Sequence, residues 1–192
     1  METGVSTAIV TNPAATTATT WAIDPAHTTV EFSVKHMMVS STKGRFGGVS
    51  GTLVIDEQNP ERSSAEVKID ASTVDTREER RDAHLRSADF FNVEVHPEIT
   101  FKSTRVVPES GDRYKVYGDL TILGVSQPVV LDTEYHGQNK TPWGSEVVGF
   151  TATTKISRKE WGLTYNAALE TGGFLVGDEI KIHLEGEAIK QA

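Results

Sequence analysis

The sequence predicts an all-β protein, a single antiparallel barrel of eight strands with one short helical segment near residues 77–88 capping an end. Three observations predict this fold. Apolar and polar residues alternate with a period of two from Trp21 onward. Several of the alternating runs reach ten or more residues, whereas a typical strand has about 5–6. Glycines cluster at residues 44–51, where a strand of a closed sheet has to bend.

The alternating runs define about eight strands, each with one apolar and one polar side. This is the pattern of an antiparallel sheet with a single buried face. Long strands in a meander leave exposed edges unless the sheet closes, which favours a barrel over the alternative, a two-sheet sandwich. In chain order the apolar members of the runs are Val30, Phe32 and Val34; Leu53 and Ile55; Ala65, Val67 and Ile69; Ile99 and Phe101; Tyr114, Val116, Leu120 and Ile122; Val129, Leu131 and Tyr135; Val148, Phe150 and Ile156; and Ile180, Ile182 and Leu184.

The interior of such a barrel has two possible contents. An eight-stranded barrel is wide enough to hold one small ligand, but its own side chains can also fill it. The bends at Gly47, Gly48 and Gly51 are compatible with both. The sequence therefore predicts the closed sheet without deciding between a hollow and a filled interior.

The helical segment lies in residues 76–91, between two strand runs. Arg81 and Leu85 are four residues apart and therefore neighbours on one helix face. We expect Leu85 and the Phe90-Phe91 pair to anchor the segment on the barrel end. The polar groups either hold this plug in place through ion pairs and hydrogen bonds, or face the polar end of a ligand. The candidates for that second role are Arg81, Asp82 and His84.

The composition excludes several classes of partner and site. A formal net charge of -8 argues against binding to nucleic acid or to an anionic membrane surface, since both need clustered Lys and Arg. The chain has no cysteine, so disulfides, thiol chemistry and Cys-ligated metals are excluded. No stretch approaches the roughly 20 apolar residues of a membrane-spanning helix.

Residues 1–20 differ from the rest of the chain. They are rich in Thr and Ala, and they contain neither Lys or Arg nor a sustained apolar run. This composition predicts a disordered tail without the pattern of a signal peptide, followed by a barrel domain at 21–190. A cytoplasmic location is expected, or a periplasmic or secreted one if a native leader precedes this sequence.

Catalysis is not expected. The six histidines form no H-x-H or H-E-x-x-H pattern, and no G-x-S-x-G or P-loop sequence is present. The sequence therefore predicts neither a metal site nor an active site. His27 and His36 are nine residues apart, which places them on opposite faces of a regular strand.

Several ordered segments resemble the YceI-like family of lipocalin-like, polyisoprenoid-binding proteins. The resemblance covers Trp21 to about Glu187 and departs from the usual pattern at His96 and Leu123. Its segments are WAIDPAHTTVEFSVKH at 21–36, GRF at 44–46, RDAHLRSADFF at 81–91, HPEITF at 96–101, GDLTI at 118–122, ISRKEWG at 156–162 and VGDEI at 176–180.

The resemblance implies a lipocalin-like barrel that binds a long isoprenoid, with a quinone or polyprenyl head, for storage or transport. It also implies frequent homodimers and neither catalysis nor a required cofactor. The alternative is a filled barrel that acts as a stress-related or interaction module without lipid. Arg158 is a further candidate for the ligand's head group, beside the three residues of the helical segment. The predicted apolar tunnel consists of Val30, Phe32, Val34, Leu53, Val67, Phe101, Val116, Leu120, Leu131, Phe150, Trp161, Ile182 and Leu184.

Overall fold

A computed structural model describes residues 18–170 and 172–192 of the chain. The described residues form ten strand segments, one α-helix and three 3-10 turns. The strands are β1 (Thr19–Ile23), β2 (Thr29–His36), β3 (Ser40–Phe46), β4 (Val49–Ile55), β5 (Ser64–Asp70), β6 (Glu98–Pro108), β7 (Arg113–Ile122), β8 (Val125–Lys140), β9 (Glu146–Ser157) and β10 (Val176–Lys190). The helix α1 spans Glu79–Arg86, and the 3-10 turns span Pro60–Arg62, Ala71–Thr73 and Arg158–Trp161.

The sheet closes into a barrel of eight strands, as predicted. β1 pairs with β4 on one side and with β10 on the other, and every pairing in the sheet is antiparallel. β2 continues along the same edge of β10 and pairs with β3. The ten segments are therefore eight long strands, of which the first is broken at residues 24–28 and the second at 47–48.

Glycine is required at the break in the second strand and just after it. Gly48 has φ +57, and Gly51 has φ +155. A Cβ on Gly51 would lie 2.2 Å from the carbonyl oxygen of Glu66 on the paired strand β5. Only glycine accommodates this close approach and this backbone conformation. The bend predicted from the glycine cluster is therefore confirmed at these two positions.

The inward-facing side chains form a continuous apolar core around a space they do not fill. Residues such as Val49 and Val74 are fully buried. In contrast, Phe32, Leu131 and Leu184 face inward from the strands but are only partly buried. Inward-facing residues keep such exposure where they border a cavity, so the barrel is hollow.

Helix α1 covers one end of the barrel. It is shorter than the predicted segment, because it begins after the cap residue Glu78, whose carboxylate accepts the N–H groups of Arg80 and Arg81. It ends at Arg86, since Ser87 is extended and its hydroxyl donates to the carbonyl of His84. Leu85, Phe90 and Phe91 pack against the core from this side, as predicted. The ring of Phe91 meets that of Phe46 edge-on at 5.4 Å between centroids.

The first strand begins at Thr19, two residues ahead of the predicted boundary of the barrel domain. The predicted disordered tail otherwise falls on residues 1–17, which lie outside the described part of the chain. Among the described residues, no helix has the length and apolar character needed to cross a membrane.

Candidate functional site: an apolar space along the barrel axis

Two cavities lie one after the other inside the barrel. The helix-end cavity, of about 180 Å³, is bounded by α1 and the segment that follows it. The far-end cavity, of about 300 Å³, opens between the β4–β5 loop and the β6–β7 turn. They meet at a shared wall, so together they follow the barrel axis. The residues common to both are Val67, Phe101, Leu131, Ala152 and Leu184.

The helix-end cavity is lined by hydrocarbon and closed by aromatic side chains. Phe90 and Phe91 form its cover together with Leu85. Among its described lining residues, Arg158 is the one charged side chain, and it is only 3 % exposed. A space of this kind suits a long apolar chain, since burial of each methylene group contributes about 0.8 kcal/mol.

The far-end cavity is apolar inside and polar at its mouth. Its polar lining residues include Tyr114 and Tyr135 and the acidic Glu57 and Asp112. Asp56 also belongs to the lining, but it is 1% exposed and its carboxylate accepts the N–H groups of Gln58 and Asn59. Its described lining residues include no Lys, Arg or His. The mouth is therefore acidic and rich in hydroxyl groups.

The structure brings twelve of the thirteen predicted tunnel residues to the walls of these cavities. Trp161 lies outside both sets of lining residues. Its ring is 1 % exposed, and its indole N–H donates to the carbonyl of Leu120 at 2.9 Å, which fixes the turn after β9 against β7. The residues at the walls are Val30, Phe32, Val34, Leu53, Val67, Phe101, Val116, Leu120, Leu131, Phe150, Ile182 and Leu184.

The polar residues of α1 lie outside the lining of both cavities. They form hydrogen bonds within the segment of residues 76–91 that covers this end of the barrel, here called the lid. Arg81 donates from Nε to the hydroxyl of Thr76 at 2.7 Å and from Nη2 to the Thr76 carbonyl at 2.9 Å. Asp82, which is buried, accepts the N–H of Thr76 at 2.9 Å and its hydroxyl. His84 pairs with Asp89 at 2.8 Å. The structure therefore places these three candidates in a network that holds the lid.

Arg158 lines the helix-end cavity but directs its donors elsewhere. Nε donates to the carbonyl of Gly177 at 2.8 Å, Nη1 to the carbonyls of Leu163 and Tyr165, and Nη2 to that of Val176 at 3.3 Å. Nη2 also lies 3.5 Å from a carboxylate oxygen of Asp178. Burial lowers the pKa of this guanidinium, and Asp178 opposes that shift. Arg158 thus fastens the β9–β10 connection.

Sequence reasoning missed the polar groups of the far-end mouth. Thr133 lies two residues after Leu131 and two before Tyr135, so the period of two places all three on the inner face of β8. In the sequence, the sign of a polar group on the inner face is Thr133, which stands between the inward-facing Leu131 and Tyr135. Glu57 and Asp112 come from connecting segments, where no periodicity assigns a face.

A larger polar groove of about 930 Å³ is bounded by β2, β3, β9, β10 and residues 75–77. Its charges have both signs, and Arg45 forms an ion pair with Asp75 at 3.0 Å within it. Partly buried apolar residues contribute only Phe32 and Ile182 to its walls. This groove does not suit a long apolar chain.

Three potential metal ligands meet at the break between β1 and β2. The nearest ligand atoms of Asp24, His27 and Glu187 lie within 4.8 Å of one another. Nδ1–H of His27 already donates to Asp24 at 2.7 Å, and Asp24 also accepts the N–H of Ala26 at 2.9 Å. His27 is exposed. These hydrogen bonds explain why the three side chains lie together, since they stabilise the chain where it leaves β1 and enters β2.

The stabilisation provided by the hydrogen bond between His27 and Asp24 is predicted to depend on pH. The hydrogen bond with Asp24 raises the pKa of His27, and the same bond lowers the pKa of Asp24. The contribution of this hydrogen bond to folding is lost as pH rises through the raised pKa of His27, and it is lost in acid as pH falls through the lowered pKa of Asp24. In an NMR titration we expect His27 to titrate above its ordinary value of about 6.5.

Two variants check the cause of that shift. Asp24→Asn should return the pKa of His27 close to its ordinary value. Glu187→Gln should move it less, because Glu187 makes only the smallest contribution to the shift. An unshifted His27 in the unmodified protein would contradict the hydrogen bond on which the prediction depends.

Comparison with known proteins supports the assignment of a lipocalin-like barrel fold. The profile of the YceI-like domain family matches residues 21–188. A protein of the UPF0312 group from Staphylococcus aureus strain USA300 is 39% identical over 170 residues, which cover 88% of this chain and 96% of that protein. The crystal structure of a Campylobacter jejuni YCEI protein has a TM-score of 0.70 and 32% identity, and the match covers 82% of this chain and 90% of that one.

A more distant structure shares the fold alone. It is a polyisoprenoid binding domain from Saccharophagus degradans, described as implicated in plant cell wall breakdown. The TM-score is 0.64 with 15% sequence identity, over 89% of this chain and 98% of that domain. The barrel architecture is therefore common to proteins of very different sequence.

Proposed function

Since this chain belongs to the YceI-like family, we propose that it binds one long-chain isoprenoid lipid inside its barrel, for storage or transport. The observation that carries the proposal is the pair of adjoining apolar cavities along the barrel axis. The name of the Saccharophagus degradans domain supports the class of ligand. The proposal includes neither catalysis nor a required cofactor.

The walls suit an isoprenoid for a physical reason. A flexible hydrocarbon chain needs only apolar contact along its length, and the cavities supply this from at least six strands. Each five-carbon unit contributes on the order of 4 kcal/mol at about 0.8 kcal/mol per carbon, before the cost of ordering the chain is subtracted. Several units in succession therefore bind tightly without any specific polar contact.

A direct test is to extract the protein with organic solvent after purification from cells that contain their native lipids, and to identify the bound molecule by mass spectrometry. We expect one isoprenoid per barrel. The filled-barrel alternative, an interaction module without lipid, predicts no stoichiometric lipid in the extract.

We further expect an added isoprenoid to stabilise the delipidated protein. A ligand that binds only the native state raises the free energy of unfolding by about 2.7 kcal/mol at 100 times its Kd. Thermal unfolding with menaquinone-4, which has a tail of four isoprene units, measures this. Isopentenol at the same concentration is the control, since one unit cannot occupy both cavities. An unchanged Tm with menaquinone-4 would contradict the proposal.

Two other expectations stay predictions. The homodimer implied by the family resemblance is checked by light scattering on the purified protein. The cytoplasmic location is checked by fractionation of native cells.

A further inference from the structure

We propose that the helix end of the barrel docks on the surface of a phospholipid bilayer that contains anionic lipids. Apolar side chains of the β2–β3 turn enter the interface, and lysines behind them contact the lipid phosphates. The inference goes beyond the proposed function, because docking requires no ligand inside the barrel.

Exposed apolar side chains are concentrated at the helix end. Two of the others are Val130, on the outer face of β8, and Trp143, in the β8–β9 turn at the opposite end. These two complete a set of eight large apolar side chains that are exposed among the described residues. The remaining six lie in connections or at a strand terminus around the helix end: Met37, Met38, Val39, Val95, Val125 and Phe174. Such a concentration marks a surface that meets an apolar partner.

The β2–β3 turn and the β9–β10 connection form one patch. The N–H of Met37 donates to the carbonyl of Leu175 at 2.9 Å. A Cβ on Gly173 would lie 2.6 Å from Sδ of Met38, so the two segments are in direct contact. Val176, the next residue after Leu175, lines the helix-end cavity. The patch therefore stands beside that cavity.

The backbone of the β2–β3 turn does not favour the residues it carries. Met37 has φ +50 and Met38 has φ +61, in the left-handed region where Gly, Asn and Asp are preferred. Their side chains are 43% and 64% exposed, so burial does not offset this strain. Strain of this kind is found where a segment has a role besides stability. Flexible methionine side chains adapt well to an irregular apolar surface.

A row of lysines crosses the outer face of the barrel behind the patch. Ser33 of β2 pairs with Lys43 of β3 and with Lys181 of β10, and Lys181 pairs with Lys155 of β9. The three lysines are exposed and line the polar groove. Within the described part of the chain, none of them forms an ion pair. Like charges opposite each other on paired strands are unfavourable, so this row favours an anionic partner.

The carboxylates of the groove do not neutralise this row. Asp75 is already paired with Arg45 at 3.0 Å, and Asp132 with Lys115. Among the described lining residues, this leaves Glu31 as the one carboxylate outside an ion pair. The net charge of -8 argues against an anionic surface only where charge is evenly distributed, and on this face it is not.

The spacing of the two features suits a bilayer. Lys43 lies three residues from the start of β3, and Lys155 two residues from the end of β9, so both are within roughly 10 Å of the helix end. The headgroup layer of one leaflet is about 5–8 Å deep, and lysine stems extend along apolar surface toward polar groups. With the apolar tips at the boundary of the hydrocarbon, the ammonium groups reach the phosphates. Glu179 is an exposed acid on the same face of the sheet, so apolar insertion supplies part of the affinity.

A protein partner fits this surface less well than a bilayer does. A stable protein interface takes about 20–30 residues from each side. The patch consists of a few side chains on turns, and a fluid bilayer can close around such a tip.

The first test places a reporter at the turn. The chain has no cysteine, so Met38→Cys carries a single environment-sensitive fluorophore. We expect its emission to shift to the blue when the delipidated protein meets vesicles of equimolar phosphatidylcholine and phosphatidylglycerol. Trp143→Cys, labelled in the same way at the opposite end, should show no shift.

The second test removes the apolar side chains without endangering the fold. Asparagine tolerates the left-handed region, so the double variant Met37→Asn, Met38→Asn should be no less stable. In co-sedimentation with the same vesicles we expect it to bind at least about fivefold more weakly. Trp143→Asn is the matched control and should bind as the unmodified protein does.

The third test removes two charges of the row. The double variant Lys155→Gln, Lys181→Gln should bind the mixed vesicles at least about tenfold more weakly, and vesicles of pure phosphatidylcholine with unchanged affinity. Lys68→Gln with Lys102→Gln makes the same change in charge on the paired strands β5 and β6, across the barrel from β9 and β10. This control should lose much less.

The outcomes separate this inference from the proposed function. The inference is overturned if the label at position 38 does not shift, if each control loses as much as its partner variant, or if the methionine variant dissociates a dimer while vesicle binding is unchanged. Isoprenoid binding stands in all three cases. Vesicle binding by a protein that neither contains nor takes up an isoprenoid would support docking and contradict the proposed function alone.

Discussion

Ala152→Leu is expected to weaken the binding of a long isoprenoid by about a hundredfold or more. Ala152 is 7% exposed and belongs to the wall shared by the two cavities. Its neighbours on the adjacent strands are Leu184 of β10 and Thr133 of β8. Three additional carbons at this position narrow the passage through which a chain must run to occupy both cavities.

The magnitude follows from the length of chain that is displaced. An isoprene unit excluded from the barrel forfeits on the order of 4 kcal/mol of hydrophobic contact. Partial rearrangement of the chain recovers some of this, and a net loss of about 2.7 kcal/mol corresponds to a hundredfold change in Kd. Titration calorimetry with menaquinone-4 measures the effect. A ligand with two isoprene units fits one cavity, so its affinity should fall much less.

Ala83→Leu is the matched control. It makes the same substitution on an exposed position of α1 and should leave the affinity unchanged. The overpacked barrel is expected to lose about 1–3 kcal/mol of stability, so unfolding is followed in parallel. If folded Ala152→Leu protein binds the long ligand with full affinity, the two cavities do not form one continuous tunnel.

The walls of this tunnel could be predicted because they depend on periodicity. In a strand, the period of two decides which side chains share a face, and closure of the sheet makes one face the interior. Phe32, Phe101 and Leu184 line the cavities for this reason. Whether the interior is hollow depends on whether the inward-facing side chains have enough volume to fill the space inside the barrel. An alternation pattern shows which residues face inward but not whether their summed volume is sufficient.

The polar residues were harder to place because their roles depend on backbone groups from other segments. Arg81, considered for a head group, instead bonds to Thr76. The four acceptors of Arg158 are backbone carbonyls, two in the irregular connection before β10 and two at the start of β10. A one-dimensional pattern records neither situation.

Arg158→Met is expected to lower the free energy of unfolding by about 3–5 kcal/mol. The guanidinium is 3% exposed and serves four carbonyl oxygens on both sides of the β9–β10 connection. Methionine preserves much of the apolar volume but donates no hydrogen bond, so the carbonyls of Leu163, Tyr165 and Gly177 lose this donor, whereas the carbonyl of Val176 still accepts from the side chain of Asn166. Urea unfolding followed by circular dichroism gives the difference. Arg158→Lys should restore less than half of it, because one ammonium group cannot reproduce the planar fork of donors.

Lys159→Met tests whether burial, rather than charge, produces this effect. Lys159 is the adjacent residue, and its ammonium contacts the same Asp178 at 2.8 Å, but its side chain is 54% exposed. An exposed ion pair contributes at most about 1 kcal/mol, so this variant should be nearly as stable as the unmodified protein. Equal losses for the two variants would mean that the connection is held through Asp178. A loss confined to position 158 would mean that the carbonyl contacts hold it. Because Leu163 of that connection and Val176 at the start of β10 both line the helix-end cavity, release of the connection should also weaken binding of the hydrocarbon chain.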